Sequence, residues 1–267
     1  MRLALAQLDI EAGAVETNRE RAEEAIAEAA NRGADLVALP EIFTVGYFSF
    51  ETYQRAAEPI EGPTLERIAD AAREHGVGVL AGSIVEDLAE TESVETPADE
   101  GLANSSVLFD REGNRLAVYR KHHLFGYDSA EAEMLVPGET LGIAEFEGAT
   151  VGMTTCYDLR FPELYRSIAE AGADLVLVPS AWPYPRVEHW KLLPRARAVE
   201  NQFFVATVNG SGDFEDASLL GRSTVYDPWG TTLASTGDDP DLVVTDVDLG
   251  RVEAVRDEFP AWRDRRT

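Results

Sequence analysis

Three side chains in this 267-residue sequence suit nucleophilic acyl transfer: Cys156, Lys121 and Glu41. Cys156 is the lone cysteine, so no intrachain disulfide forms, and one thiol with four histidines argues against a zinc cage. A thiol of ordinary pKa, near ~8.5, is mostly protonated at neutral pH and needs a base or a cation beside it. A lone cysteine can equally be a buried structural residue. Its context favours chemistry, because it follows the strand-like Val151-Gly-Met-Thr-Thr155 and precedes Tyr157-Asp-Leu-Arg-Phe-Pro-Glu163, a polar turn entering a helix. Backbone N–H groups at such a turn can face a developing oxyanion.

Lys121 stands out by composition: the chain has 21 arginines and only two lysines, Lys121 and Lys191. A lysine kept in such a chain suggests a task for a compact ammonium that a planar guanidinium cannot perform; drift is the competing explanation. Lys191 reads as a solvated charge on a helix face. Glu41 follows the apolar run Leu36 to Pro40. Facing inward it would lose solvation and gain basicity, as a general base for a thiol requires; facing outward it is an ordinary loop glutamate.

Short β-like runs alternate with helical patterns, which predicts a layered α/β or α+β architecture in one domain, 1–267. Strands are expected at Leu3–Leu8, Asp35–Leu39, around Val77–Ile84, and at Ser105–Phe109 and Arg115–Tyr119, which read as a hairpin. Further strands are expected at Leu141–Phe146, Thr150–Thr155, Leu175–Val178, either side of Asp227-Pro-Trp-Gly230, and at Leu242–Val247. Helices are expected at Thr17–Ala30, Pro63–Arg73, Pro162–Glu170 and Val187–Gln202. Val85–Gly101 is acidic and reads as a solvated insertion. Gly33-Ala-Asp-Leu-Val-Ala-Leu-Pro-Glu41 echoes Gly172-Ala-Asp-Leu-Val-Leu-Val-Pro-Ser180, through either duplication or a common helix-to-strand junction. Each copy delivers a polar residue at a strand's end.

Lys plus Arg number 23 and Asp plus Glu 49, giving a formal charge of −26. A surface that negative repels phosphate backbones and anionic lipids, so no nucleic-acid or membrane partner is expected. Suppressed Lys with abundant acid reads as halophilic adaptation, kept soluble in concentrated salt and unstable without it. The opening Met1–Ile10 holds too short an apolar run for a secretion signal, so a cytoplasmic location is expected.

In that order, Leu39-Pro-Glu41, Tyr119-Arg-Lys121-His-His-Leu-Phe125 and Cys156-Tyr-Asp-Leu-Arg-Phe-Pro-Glu163 resemble the nitrilase superfamily of carbon–nitrogen hydrolases. Ser180-Ala-Trp-Pro183, Arg186, His189-Trp190 and the segment Arg195 to Gln202 are similar to its omega-amidase-like members. The resemblance implies a four-layer α-β-β-α sandwich, a Glu–Lys–Cys triad, and a homodimer or larger homo-oligomer. It also implies a second glutamate six residues before a Pro-Gly, and Glu131 stands in that relation to Pro137-Gly138. Gly126-Tyr-Asp-Ser-Ala130 and the acidic insertion depart from the commoner pattern.

The chemistry then expected is hydrolysis of a small carboxylated amide to acid and ammonia. Glu41 takes the Cys156 proton, and the thiolate attacks the carbonyl. Lys121 and the Tyr157 N–H hold the oxyanion, and water hydrolyses the thioester, with no metal and no cofactor required. Arg160 either grips the substrate carboxylate or pairs internally with Asp158 or Glu163. A nitrile or N-carbamoyl hydrolase with the same triad, and a non-catalytic ligand-binding member of the fold, are the alternatives. A Cys–His hydrolase recruiting His122, His123 or His189 is the rival from another class.

Overall fold

A computed structural model describes residues 1–126, 129–215 and 217–266. One mixed sheet holds β1 (Arg2–Gln7), β2 (Leu36–Ala38), β3 (Gly78–Leu80), β4 (Ile84–Asp87), β5 (Leu102–Phe109), β6 (Arg115–Arg120) and β15 (Asp241–Asp246). A second holds β7 (Gly142–Phe146), β8 (Ala149–Met153), β9 (Leu175–Ser180), β10 (Phe204–Asn209), β13 (Thr224–Tyr226) and β14 (Thr232–Ser235). A ribbon of β11 (Asp213–Phe214) and β12 (Ala217–Ser218) stands apart.

The helices are α1 (Val15–Asn31), α2 (Tyr53–Ala56), α3 (Pro63–His75), α4 (Ala130–Met134), α5 (Pro162–Glu170), α6 (Val187–Asn201) and α7 (Gly250–Glu258). In α1 the buried Asn18, Ala22, Ile26 and Ala29 recur at helical spacing. With Leu65 and Ile68 of α3 they cover one face of the first sheet against Ala4, Val37 and Val79. On the opposite face Leu3, Leu5, Leu36 and Leu80 meet Val151, Met153, Leu175 and Phe204 of the second sheet. The far face of that sheet, with Val176, Val178 and Val205, is covered by Tyr165 and Ile168 of α5 and Trp190 of α6. Helix, sheet, sheet, helix is the expected four-layer sandwich. The central strands are apolar throughout because each is buried on both sides.

The sequence echo occupies equivalent places. β2 is the middle strand of the parallel set β1-β2-β3, and β9 the middle strand of β8-β9-β10. Asp35 accepts from the Arg2 N–H through its carboxylate at 2.6 Å, and Asp174 does the same for the Thr150 N–H at 3.0 Å. Shared register and shared side-chain duty favour duplication over a generic junction.

Two expectations need correction. The strand around Val77–Ile84 is broken: Gly82 turns at φ +41, and a Cβ there would lie 2.0 Å from the Pro40 carbonyl oxygen. The segment Val85–Gly101 does not begin as a solvated insertion, since Val85 and Glu86 are buried in β4. Glu86 is neutralised by Arg120, which reaches it with Nε at 2.6 Å and Nη2 at 2.7 Å. An acidic run conceals a buried acid when its partner lies 34 residues downstream.

Candidate active site

Four chain segments converge at one end of the sandwich. Glu41 follows β2, whose pairing ends at Pro40, and the chain turns sharply at Ile42, a β-branched residue at φ +44. The Ile42 N–H donates to Ser83 Oγ at 2.9 Å, which helps hold this costly conformation. Lys121 stands just past β6, its N–H bonded to the Asn104 carbonyl of β5 at 2.9 Å. Glu131 lies in α4, and the chain returns so that the Gly138 N–H meets the Lys121 carbonyl at 2.9 Å. A Cβ on Gly138 would fall 2.2 Å from the Arg120 oxygen, which explains the glycine at this position.

Cys156 opens a tight turn, Cys156–Arg160, directly after β8 and before α5. Its φ of +46 is left-handed, a strained conformation for a residue with a Cβ. The turn is locked by Asp158, fully buried, which accepts from the Tyr119 hydroxyl at 2.6 Å, the Thr155 N–H at 2.9 Å and the His123 N–H at 3.0 Å. His123 Nδ1 lies 2.7 Å from the same carboxylate. Asp158 therefore ties the cysteine turn to the segment after Lys121.

Glu41, Lys121 and Glu131 form one buried cluster. Lys121 Nζ donates to Glu41 Oε1 at 2.9 Å and to both Glu131 oxygens at 2.8 and 3.1 Å. The Ala181 N–H donates to Glu41 Oε2 at 2.8 Å, and the Tyr47 hydroxyl to Glu131 Oε2 at 2.9 Å. Burial raises the Glu41 pKa, the Lys121 ammonium opposes that rise, and Glu131 reinforces it, leaving it above the ordinary carboxylate range. Burial also pushes the Cys156 thiol well up, and the facing Glu41 adds to the effect while Lys121 works against it. For Lys121 burial alone would favour the neutral amine, but the two glutamates outweigh it and hold the ammonium charged. The result is a neutral thiol beside a carboxylate of raised basicity, the condition for a proton to pass between them.

Above the cluster opens a cavity of about 240 Å³ whose lining includes Lys121, Cys156, Tyr157, Arg160, Trp182 and Arg186. That is below the ~300 Å³ at which sites for drug-sized ligands begin, so the cavity suits a small molecule. Arg160 lines it and does not pair with Asp158 or Glu163. Its guanidinium stacks over Trp182 at 5.0 Å and Tyr157 at 5.5 Å, and Nη2 lies 3.3 Å from His189 Nδ1. The rival Cys–His arrangement is not formed among the described residues: His123 is committed to Asp158, His189 to Arg160, and His122 stacks on Tyr119. Of the departing segment Gly126–Ala130, residues 127 and 128 lie outside the described residues.

A family model described as carbon–nitrogen hydrolase matches residues 2–257. The chain belongs to that family. It is 35% identical to the 2-oxoglutaramate amidase of Paenarthrobacter nicotinovorans over 237 residues, 87% of this chain and 79% of that protein. It is 36% identical to human omega-amidase NIT2 over 276 residues, covering 100% of this chain and 95% of the relative. The crystal structure of Saccharomyces cerevisiae Nit3, a member of branch 10 of the nitrilase superfamily, superposes with a TM-score of 0.89 at 29% identity, covering 100% of this chain and 97% of that one. This carbon–nitrogen hydrolase thus has the nitrilase-type sandwich and its similarities lie in the omega-amidase-like branch. Sequence reasoning missed Asn104, which stands beside Ser105 and Ser106 in β5 and carries no distinguishing local signal, and it missed the locking role of Asp158, an acid inside a motif already noted for its cysteine.

Proposed function

We propose that the protein, as one domain over residues 1–267, hydrolyses a small carboxylated amide to its acid and ammonia through a thioester on Cys156. Glu41 takes the thiol proton as sulfur attacks the carbonyl carbon, forming the C–S bond. The carbonyl oxygen gains negative charge opposite Lys121 and the Tyr157 N–H. Collapse of that intermediate breaks the C–N bond, and the proton held by Glu41 leaves with ammonia. Water, deprotonated by Glu41, then attacks the thioester and frees the thiol. Glu131 keeps Lys121 charged and in place throughout. The observation that carries this reading is that Lys121, bonded to Glu41 and Glu131, and Cys156 line the same small cavity.

Arg160 is proposed to grip the substrate carboxylate, because it faces that cavity with no carboxylate partner among the described residues. Amide rather than nitrile or carbamoyl substrates are supported by the names of the relatives, which are amidases. A homodimer or larger homo-oligomer fits the exposed apolar side chains Leu192 and Val199 on α6 and nearby Trp229. Cytoplasmic, halophilic life fits the net charge of −26. Among the described residues no helix is long and apolar enough to cross a membrane.

The test is ammonia release from amides, nitriles and N-carbamoyl compounds in molar KCl. Turnover of carboxylated amides, abolished in Cys156→Ala, is the expected result. Stoichiometric thiol alkylation with no ammonia from any compound would favour the non-catalytic binding member instead.

A further inference from the structure

Asn104 is 1% exposed, on the strand facing Lys121, and nothing in the sequence singles it out. Its Nδ2 donates to Glu41 Oε1 at 2.9 Å and lies 3.5 Å from Glu131 Oε1. These are two of the oxygens that also receive Lys121 Nζ. Two nitrogen donors and two carboxylate oxygens therefore close a ring beneath the cysteine. The amide has one sensible orientation, since turning it over would aim its own oxygen at two carboxylates. In that orientation Oδ1 is buried and accepts from no protein group among the described residues. A polar residue at this buried strand position is explained by what its N–H groups do, facing two carboxylate oxygens.

We propose that Asn104 is a positioning residue for the reaction: it fixes the Glu41 carboxylate against the thiol and lets two buried glutamates share one ammonium. With Lys121 and Asn104 on Oε1 and the Ala181 N–H on Oε2, three donors hold both oxygens of Glu41 and oppose rotation of the carboxylate. An amide suits this post better than a second cation. Its N–H groups stabilise both ionised carboxylates without adding charge, leaving Glu41 basic enough to accept the thiol proton. The titratable groups around Glu41 are Lys121, Glu131 and Cys156, with Tyr47 bonded to Glu131 and Tyr53 bonded to the Tyr47 carbonyl. This inference rests on Glu41 acting as the base.

The test compares wild type, Asn104→Leu, Asn104→Ala and Cys156→Ala by ammonia release on one carboxylated amide, with kcat, KM and the pH profile of kcat/KM measured for each active protein. Asn104→Leu should lower kcat about 10- to 100-fold, the range spanned by losing one hydrogen bond to a charged group, while KM stays within about threefold. The acidic limb should move to higher pH, because Glu41 loses a donor that favours its ionised form. Asn104→Ala, which has room to fold if leucine does not, should shift the limb in the same direction. An unchanged limb with wild-type kcat in either folded variant overturns the proposal, as does a rise in KM with kcat retained. Ammonia release by Cys156→Ala at the wild-type rate would instead sink the catalytic reading. An inactive Cys156→Ala beside a wild-type-like Asn104→Leu sinks only the role of Asn104.

Discussion

Replacing Lys121 with methionine removes the cation that Glu41 and Glu131 share, while keeping most of the side-chain volume. The wild-type cluster holds two carboxylates and one ammonium, and all three side chains are 0% exposed. Without the ammonium, two like charges remain buried without compensation. Breaking such a buried pair costs about 3–5 kcal/mol. At ~2–4 °C per kcal/mol for a chain near this size, Tm should fall by roughly 6–20 °C. Activity should fall further than stability explains, since losing one oxyanion donor costs about 10²–10³ in kcat. Adding Glu131→Gln to Lys121→Met removes one of the stranded charges, so the double variant should recover much of the lost Tm and none of the ammonia release. Thermal unfolding and an ammonia assay on the three proteins measure both quantities. A Lys121→Met enzyme turning over within threefold of wild type, or a Tm loss that Glu131→Gln leaves untouched, would refute the reasoning.

Other consequences can be measured on the same preparations. Because the Glu41 pKa is raised and its ionised form is the base, the acidic limb of kcat/KM should lie above the ~4.3 of an ordinary glutamate. Glu131→Gln, which removes a charge that raises this pKa, should lower the limb in whatever activity remains. Gly82→Ala forces a Cβ to within 2.0 Å of the Pro40 oxygen beside Glu41, at positive φ. It should cost about 2–5 kcal/mol in a denaturation experiment and reduce turnover. Arg160→Ala should raise KM for carboxylated amides and leave neutral amides unchanged; an equal rise for both would remove its gripping role. Tm should climb from dilute buffer to molar KCl as salt screens the net charge of −26, and a flat profile would contradict salt adaptation.

The elements were legible where local chemistry decides them. Pro162 opens α5 and Gly76 ends α3 in the left-handed conformation, both as composition implies. The sandwich was legible because buried central strands read as apolar runs between amphipathic helices. α7 was not: its polar surface outnumbers its two buried valines, Val252 and Val255, and no side chain caps its start. Cys156, Lys121 and Glu41 could be singled out because each is an unusual residue for its place in the chain. Glu86 and Asn104 could not, since their meaning depends on Arg120 and on Glu41, reached only after the chain has folded. Long-range pairing of buried polar groups leaves little local trace.

Intact-mass analysis of the enzyme quenched during turnover, followed by peptide mapping, tests the covalent step most directly. A carboxylated amide should add the mass of its acyl half, with ammonia lost, to the peptide carrying Cys156, and Cys156→Ala should show neither adduct nor product. Steady ammonia release from Cys156→Ala, or turnover with the added mass on some other side chain, would contradict a thioester on this sulfur.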